Sequence, residues 1–210
     1  MEAETGEGNF AKIYDLIFNP ALRRIHHSIL ELASKYDCET IVDLGSGTGA
    51  QARVLSQHGF SVTGIDASYQ MINVARNKSQ HAIRFIHSDI TTVSVSKKEF
   101  DAANISLVLH PNSNEIITKI LSKAKELVKS HGIVFITDYG RGSGFFGKIA
   151  ERSMQIIESF TNQNHRINYF SFMRRKGIDM FSTMNSIKIL ERKKYFNGAL
   201  QTIVITFLEQ

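Results

Sequence analysis

The stretch IVDLGSGTGA, Ile41 to Ala50, sets Gly45, Gly47 and Gly49 directly after a short apolar run. Glycine accepts positive φ and has no Cβ, so the spacing predicts a tight strand-to-helix turn whose backbone approaches a ligand. Two ligands compete for it. Gly45-x-Gly47-x-x-Ala50 fits the dinucleotide pattern, in which a pyrophosphate rests on the N–H groups of a helix N-terminus. Asp43, two residues ahead of Gly45, puts a carboxylate at the end of the strand and would repel such a phosphate. The same carboxylate favours a cationic ligand without phosphate. S-adenosylmethionine, with its ammonium and sulfonium, is of that kind and fits the spacing better than NAD. A P-loop is excluded, because no Gly-Lys-Ser/Thr closes the run.

Working outward, Thr40–Leu44 reads as a strand and Ala50–Gln57 as the helix after the turn. Phe60–Ile65 is a second strand, and Ser68 caps a helix to Arg76 with Met71, Ile72 and Ala75 inward. Ile83–Ile86 and Phe100–Leu107 are the third and fourth strands. The clearest helix runs from Ser113 to Lys129, with Ile116, Ile117, Ile120, Leu121, Ala124, Leu127 and Val128 in one stripe and Gly132 as its stop. Ile133–Thr137 is a fifth strand. Upstream, Asn19-Pro20 reads as a helix start, with Leu22, Ile25, Ile29, Leu32 and Ala33 inward. This alternation predicts a doubly wound, mostly parallel α/β sheet.

The last third differs. Helices are expected over Phe145–Phe160 and Tyr169–Lys176. Ile187–Tyr195 and Ala199–Leu208 then form an antiparallel hairpin about Asn197-Gly198, the strongest short hairpin signal. The whole reads as one domain, with residues 1–9 a disordered tail, 10–36 an N-terminal helical cap and 139–186 a helical lid before the hairpin.

Two further acids follow their own strands. Asp66 in VTGIDAS can accept both hydroxyls of a ribose, and Asp89 in RFIHSDI can reach an adenine amino group. Together with ELVKSHGIVFITDY and the fourth-strand segment FDAANISLVLHP, these stretches resemble the class I S-adenosylmethionine-dependent methyltransferases over about residues 10–210. The resemblance implies a Rossmann-like sheet of order 3-2-1-4-5-7-6, with strand 7 antiparallel and helices on both faces. It implies cofactor contacts from Ser46, Thr48, Ala67, Met71, Ile90 and Ser106 beside Asp43, Gly45, Gly47, Gly49, Asp66 and Asp89. The segment KIYDLIF is similar to that of ubiquinone/menaquinone-type and other small-molecule methyltransferases, which implies that Tyr14 closes over the cofactor.

Methyl transfer is an in-line displacement that needs alignment, a dry site and, for some acceptors, removal of one proton. His110 in LVLHPN is the candidate general base or acceptor contact, since imidazole titrates near neutrality. Asp138 and Tyr139 end the fifth strand, while His165 and Arg166 lie in the lid. His110-Pro111-Asn112 lacks the second proline and the tyrosine of the D/N-P-P-Y motif of DNA base-amino methyltransferases. No metal site is expected, because Asp138 alone does not make an oxygen cluster and no Cys/His zinc spacing exists. Phe145, Phe146, Met154, Phe160, Tyr169, Phe170, Phe172, Met173, Met180, Phe181 and Met184 supply lid packing or an apolar pocket for an aromatic acceptor.

Composition narrows the rest. The 210 residues suffice for one α/β domain, and 42% hydrophobic with 21% charged residues is ordinary for a globular protein. No apolar run spans a bilayer and no signal peptide is evident. The single cysteine, Cys38, suits a reducing cytoplasm. Residues 1–138 carry a net charge of −1 and residues 139–210 of +6. Arg174, Arg175 and Lys176 could meet an acidic substrate or a membrane surface, and no stacking motif accompanies them, so specific nucleic-acid binding is not expected. The leading expectation is a methyltransferase acting on a small molecule. A nicotinamide-dependent oxidoreductase and a non-catalytic S-adenosylmethionine-binding protein are the alternatives, and the oligomeric state stays open.

Overall fold

Thr40, Ile41 and Val42 are β-branched and Leu44 is apolar, as suits a strand buried from both sides, and Thr40–Leu44 forms β1 with Ile41 to Leu44 all buried, Asp43 among them. The computed structural model describes residues 22–79, 83–159 and 161–208. Tyr14, the 1–9 tail and the Asn19-Pro20 helix start lie outside them. Seven strands join in the order β3-β2-β1-β4-β5-β7-β6, the order that the resemblance implies. The chain divides into two compact units, up to Asp89 and from Ile90 onward.

In the first unit β1 pairs in parallel with β2 (Ser61–Asp66), and β2 in parallel with β3 (Arg84–His87). Helix α1 covers residues 22–35, α2 Ala50–Gln57 and α3 Tyr69–Lys78. Ile25, Ile29, Leu32 and Ala33 make the buried face of α1 as their spacing predicts. Ser68 caps α3 by accepting a hydrogen bond from the Met71 N–H. The buried Phe85 of β3 explains two glycines. A Cβ on Gly49 or Gly64 would come within 2.8 or 2.7 Å of its ring.

In the second unit β4 (Phe100–Ser106) and β5 (Val128–Tyr139) run parallel, β7 (Leu200–Phe207) runs antiparallel to β5, and β6 (Ile187–Tyr195) antiparallel to β7. Helix α4 is Asn114–Leu127, capped by Ser113, with Ile117, Ile120, Leu121, Ala124 and Leu127 buried. It stops earlier than its stripe suggests. Val128 already pairs with Phe100, and the register then shifts before Ala102. Gly132 therefore sits inside β5 rather than ending α4; a Cβ there would strike Val128 Cβ at 2.7 Å, so only glycine permits the irregularity.

Helix α5 is Gly144–Ser159. Helix α6, Gln163–Arg174, starts six residues before the expected Tyr169, because Asn162 caps it by accepting from the His165 N–H. A 3-10 turn, Gly177–Thr183, follows. The hairpin is antiparallel as expected, but its turn is not a two-residue one. Tyr195 pairs with Leu200, which leaves four residues in the loop, and Phe196, Asn197 and Gly198 all have positive φ. Phe196 accompanying the Asn-Gly pair into that region lengthens the connection.

Candidate functional site

The glycine loop is built by β1 and closed by β2. Gly45, Gly47 and Gly49 have φ of 79°, 52° and 74°, the left-handed region. Gly45 and Ser46 donate their N–H groups to the Ile65 carbonyl at 2.8 and 3.0 Å, and Gly49 donates to Ser46 at 2.9 Å. The Gly47 N–H donates to Asp66 Oδ2 at 2.8 Å, and Asp66 Oδ1 accepts from the Ser68 N–H at 2.8 Å. A pyrophosphate-binding loop must offer such N–H groups to its ligand. Here four are committed within the protein, one of them to a carboxylate.

The same loop leaves space where a ligand needs it. A Cβ on Gly47 would meet nothing within 4 Å. Asp43 is buried at the end of β1, and Ser46 is buried with a hydroxyl that has no hydrogen-bond partner among the described residues. The Thr48 carbonyl accepts from Arg53 at 2.6 Å, and His87 lies 3.0 Å from the Ala67 carbonyl. Met71 is half-buried in the first turn of α3, and Asp89 is exposed after β3. Asp66 and the glycine turn are thus in direct contact, whereas Asp89 stands apart from that bond.

The second unit holds a different kind of site. Asp138, fully buried at the end of β5, accepts four hydrogen bonds. Its Oδ2 takes the N–H groups of Leu109 and His110 at 2.9 and 3.2 Å, and its Oδ1 takes His110 Nδ1 at 2.9 Å and the Tyr139 N–H at 2.8 Å. A carboxylate only accepts, so the proton of a neutral His110 sits on Nδ1 and Nε2 keeps its lone pair. Nε2 faces Glu158 Oε1 at 3.6 Å. Glu158, in the last turn of α5, also accepts from the Tyr139 hydroxyl at 2.8 Å. Its Oε2 lies 2.6 Å from His165 Nε2, without the alignment of a hydrogen bond. Burial pushes the Glu158 carboxyl up, but His165, the charge of His110 and the Tyr139 hydroxyl outweigh it and hold the group below the usual glutamate value.

Tyr169 completes this cluster. Its ring meets Tyr139 edge-on at 5.4 Å and His110 at 6.1 Å, and its fully buried hydroxyl has no hydrogen-bond partner among the described residues. Burial, with Glu158, Glu151 and Asp138 nearby, raises that hydroxyl well above the usual tyrosine range. Ile90, buried, and Ser106, whose hydroxyl donates to Asn104 Oδ1 at 3.2 Å, also belong to this unit.

Of the residues singled out from sequence, His110, Asp138, Tyr139, His165 and Tyr169 come together, while Arg166 is exposed and outside the cluster. Glu158 was not among them. One signal could have found it: a carboxylate in the last turn of a helix opposes the helix dipole and needs a reason to be there. The lid aromatics divide. Tyr169, Phe172, Met173 and Phe181 are core, whereas Phe145 and Phe146 are about three-quarters exposed at 76% and 73%.

Residues 41–132, the span from β1 into β5, match a methyltransferase domain, and the sheet has the strand order of the Rossmann-like methyltransferase fold. It is 32% identical over 165 residues to the Bacillus subtilis protein YqeM, covering 76% of this chain and 63% of YqeM. It is 31% identical over 111 residues to the demethylmenaquinone methyltransferase of Tropheryma whipplei, covering 51% of this chain and 44% of that one. The chain therefore spans about half to two-thirds of the length of the curated relatives it matches. Among solved structures, plantazolicin methyltransferase BpumL with a substrate analogue and S-adenosylhomocysteine superposes with a TM-score of 0.68 at 16% identity, covering 99% of this chain and 93% of that one. At that identity the likeness is one of methyltransferase fold alone.

Proposed function

We propose that this methyltransferase moves the methyl group of S-adenosylmethionine to a small-molecule acceptor, with an apolar or aromatic compound as the preferred class. One observation carries the reading: the glycine loop spends four of its N–H groups internally, one of them on Asp66, while leaving open space over Gly47. A phosphate would find four of the loop's N–H groups already engaged and carboxylates rather than a neutral surface, whereas an ammonium-bearing nucleoside without phosphate meets carboxylate chemistry at Asp43 and Asp66.

When bound, the cofactor would supply an electrophilic methyl group carried on sulfur. The chain's own part is to bind, orient and handle a proton. Gly45 to Gly49 with Asp43 and Asp66 hold the nucleoside and amino-acid ends, with Ser46, Thr48, Ala67, Met71, Asp89, Ile90 and Ser106 as further contacts. Tyr14 belongs to the same proposal. His110, with Nδ1 held by Asp138, offers Nε2 to the acceptor or its proton. The demethylmenaquinone methyltransferase relationship and the apolar residues that α5 leaves exposed support an apolar acceptor. A cytoplasmic setting suits the single buried Cys38.

Calorimetry with S-adenosylhomocysteine and with NAD tests the assignment. Saturable binding of the first at one site per chain, with none of the second, is expected, together with a raised melting temperature through mass action. NAD binding without S-adenosylhomocysteine binding would make the chain an oxidoreductase. Cofactor binding without turnover on any acceptor would leave a binding protein on the methyltransferase fold.

A further inference from the structure

We infer that His110, Glu158 and His165 form a binding site for a divalent cation of the zinc type. The three side chains come from the segment after β4, the end of α5 and the first turn of α6, and their ligand atoms all lie within 4.8 Å of one another. Zinc binds imidazole nitrogen and carboxylate oxygen at about 2.0–2.2 Å, so neighbouring ligands around one ion stand roughly 3–3.5 Å apart. The 3.6 Å from His110 Nε2 to Glu158 and the 2.6 Å from His165 Nε2 to Glu158 bracket that spacing. Two imidazoles with one carboxylate is a ligand set for a catalytic ion, with a further position left open.

Three independent features point to a cation rather than a closed polar network. First, the His110 tautomer is fixed by Asp138 on Nδ1, the carboxylate–histidine arrangement that orients a metal-binding imidazole and raises its basicity. Second, the ligating carboxylate is itself braced, by the Tyr139 hydroxyl at 2.8 Å. Third, Glu158 Oε2 and His165 Nε2 are buried and close without hydrogen-bond alignment, and the Tyr169 hydroxyl beside them is also unmatched among the described residues. The site shares His110 Nε2 with the proposed proton-accepting role, which a bound ion would replace, and ion binding is read without turnover.

The test is zinc sulfate alone, titrated by calorimetry into the full chain after chelator treatment, with cobalt(II) as a visible-absorption probe of ligand geometry. One equivalent per chain and ligand-field bands of a low-coordinate cobalt ion are expected. His165→Ala, at a partly exposed position that spares the core, and Glu158→Gln should each weaken zinc binding by at least about tenfold. His58→Ala, on the exposed end of α2, should bind like the unaltered chain. If Glu158→Gln fails to fold, His165→Ala decides alone. No stoichiometric uptake by the unaltered chain, or uptake unchanged in His165→Ala, would overturn the site and leave His110 Nε2 as a proton acceptor only.

Discussion

Asp66 and Asp138 stand at the ends of parallel strands, one in each unit, and each gathers backbone N–H groups. Asp66 is half-buried and accepts two, from Gly47 and Ser68. Asp138 is fully buried and accepts three, from Leu109, His110 and Tyr139, besides the His110 ring. The first shapes a loop that presents itself outward, and the second knots the interior of a cluster. Residues alike in sequence context thus differ in what their loss exposes. Removing Asp66 should be felt chiefly by a ligand, and removing Asp138 chiefly by the fold.

The largest effect follows from the second half of that contrast. Asp138→Ala leaves buried donors without an acceptor, at a cost of about 3–5 kcal/mol. For a chain of this size the melting temperature should fall by roughly 10 °C or more, measured by calorimetry. A fall of only a degree or two would mean that the donors find water and that the cluster is less closed than its burial indicates.

Gly47→Val comes next and acts on the ligand. Valine at φ +52° is strained by about 1–3 kcal/mol, and its side chain enters the open space over the loop. Binding of S-adenosylhomocysteine should drop more than about a hundredfold, an effect of roughly 2.7 kcal/mol or larger. Gly59→Val separates strain from obstruction. Gly59 also has positive φ, +92°, with nothing within 4 Å of its Cβ direction, but it lies at the far end of α2. It should lose stability to a similar extent and keep its affinity. Equal loss of binding in both variants would mean that strain, not shape, governs the cradle.

How much of this was legible depends on how far each site is spread along the chain. The cradle is one decapeptide plus the ends of the next strands, so Gly45, Gly47, Gly49 and Asp66 could be read from local spacing. The alternation of apolar runs indicates a mostly parallel doubly wound sheet, the resemblance implies its strand order, and the α4 stripe marks its buried face. The cluster was not legible as a unit. His110, Glu158 and His165 are joined only by the return of α5 and α6 onto their own unit, and nothing in local spacing encodes that return. The early start of α6 was missed because Asn162 caps through its side chain, ahead of any apolar periodicity. The stop of α4 was misplaced because pairing of Val128 with Phe100 outweighs helix continuation.

Asp66→Ala tests the first half of the contrast at smaller scale. Its two backbone bonds are partly solvated, so about 1 kcal/mol of stability is at stake. Its loss as a charged acceptor should weaken S-adenosylhomocysteine by about 1.5–3 kcal/mol, or roughly ten- to over a hundredfold. Asp66→Asn, which keeps one acceptor oxygen, should fall between the two. Should the alanine variant lower the melting temperature as much as Asp138→Ala is expected to while binding normally at low temperature, the two aspartates would be structural equivalents after all.

The smallest effect concerns charge that serves neither site. Arg174 is exposed, with its Nε 3.4 Å from the Phe170 carbonyl one turn back, and Lys176 is exposed just beyond α6. Arg174→Gln with Lys176→Gln should change stability by no more than about 0.5 kcal/mol, the usual range for surface substitutions. Affinity for S-adenosylhomocysteine should stay within about twofold. The net charge of +6 over residues 139–210 nonetheless attracts polyanions, so weak binding of a single-stranded RNA is expected at low ionic strength. Such binding rests on counterion release and should vanish between roughly 50 and 200 mM salt, and the double variant should flatten its salt dependence. Saturable submicromolar RNA binding that survives near-physiological salt would give these residues a recognition role. The acceptor would then be sought among nucleic acids rather than small apolar compounds.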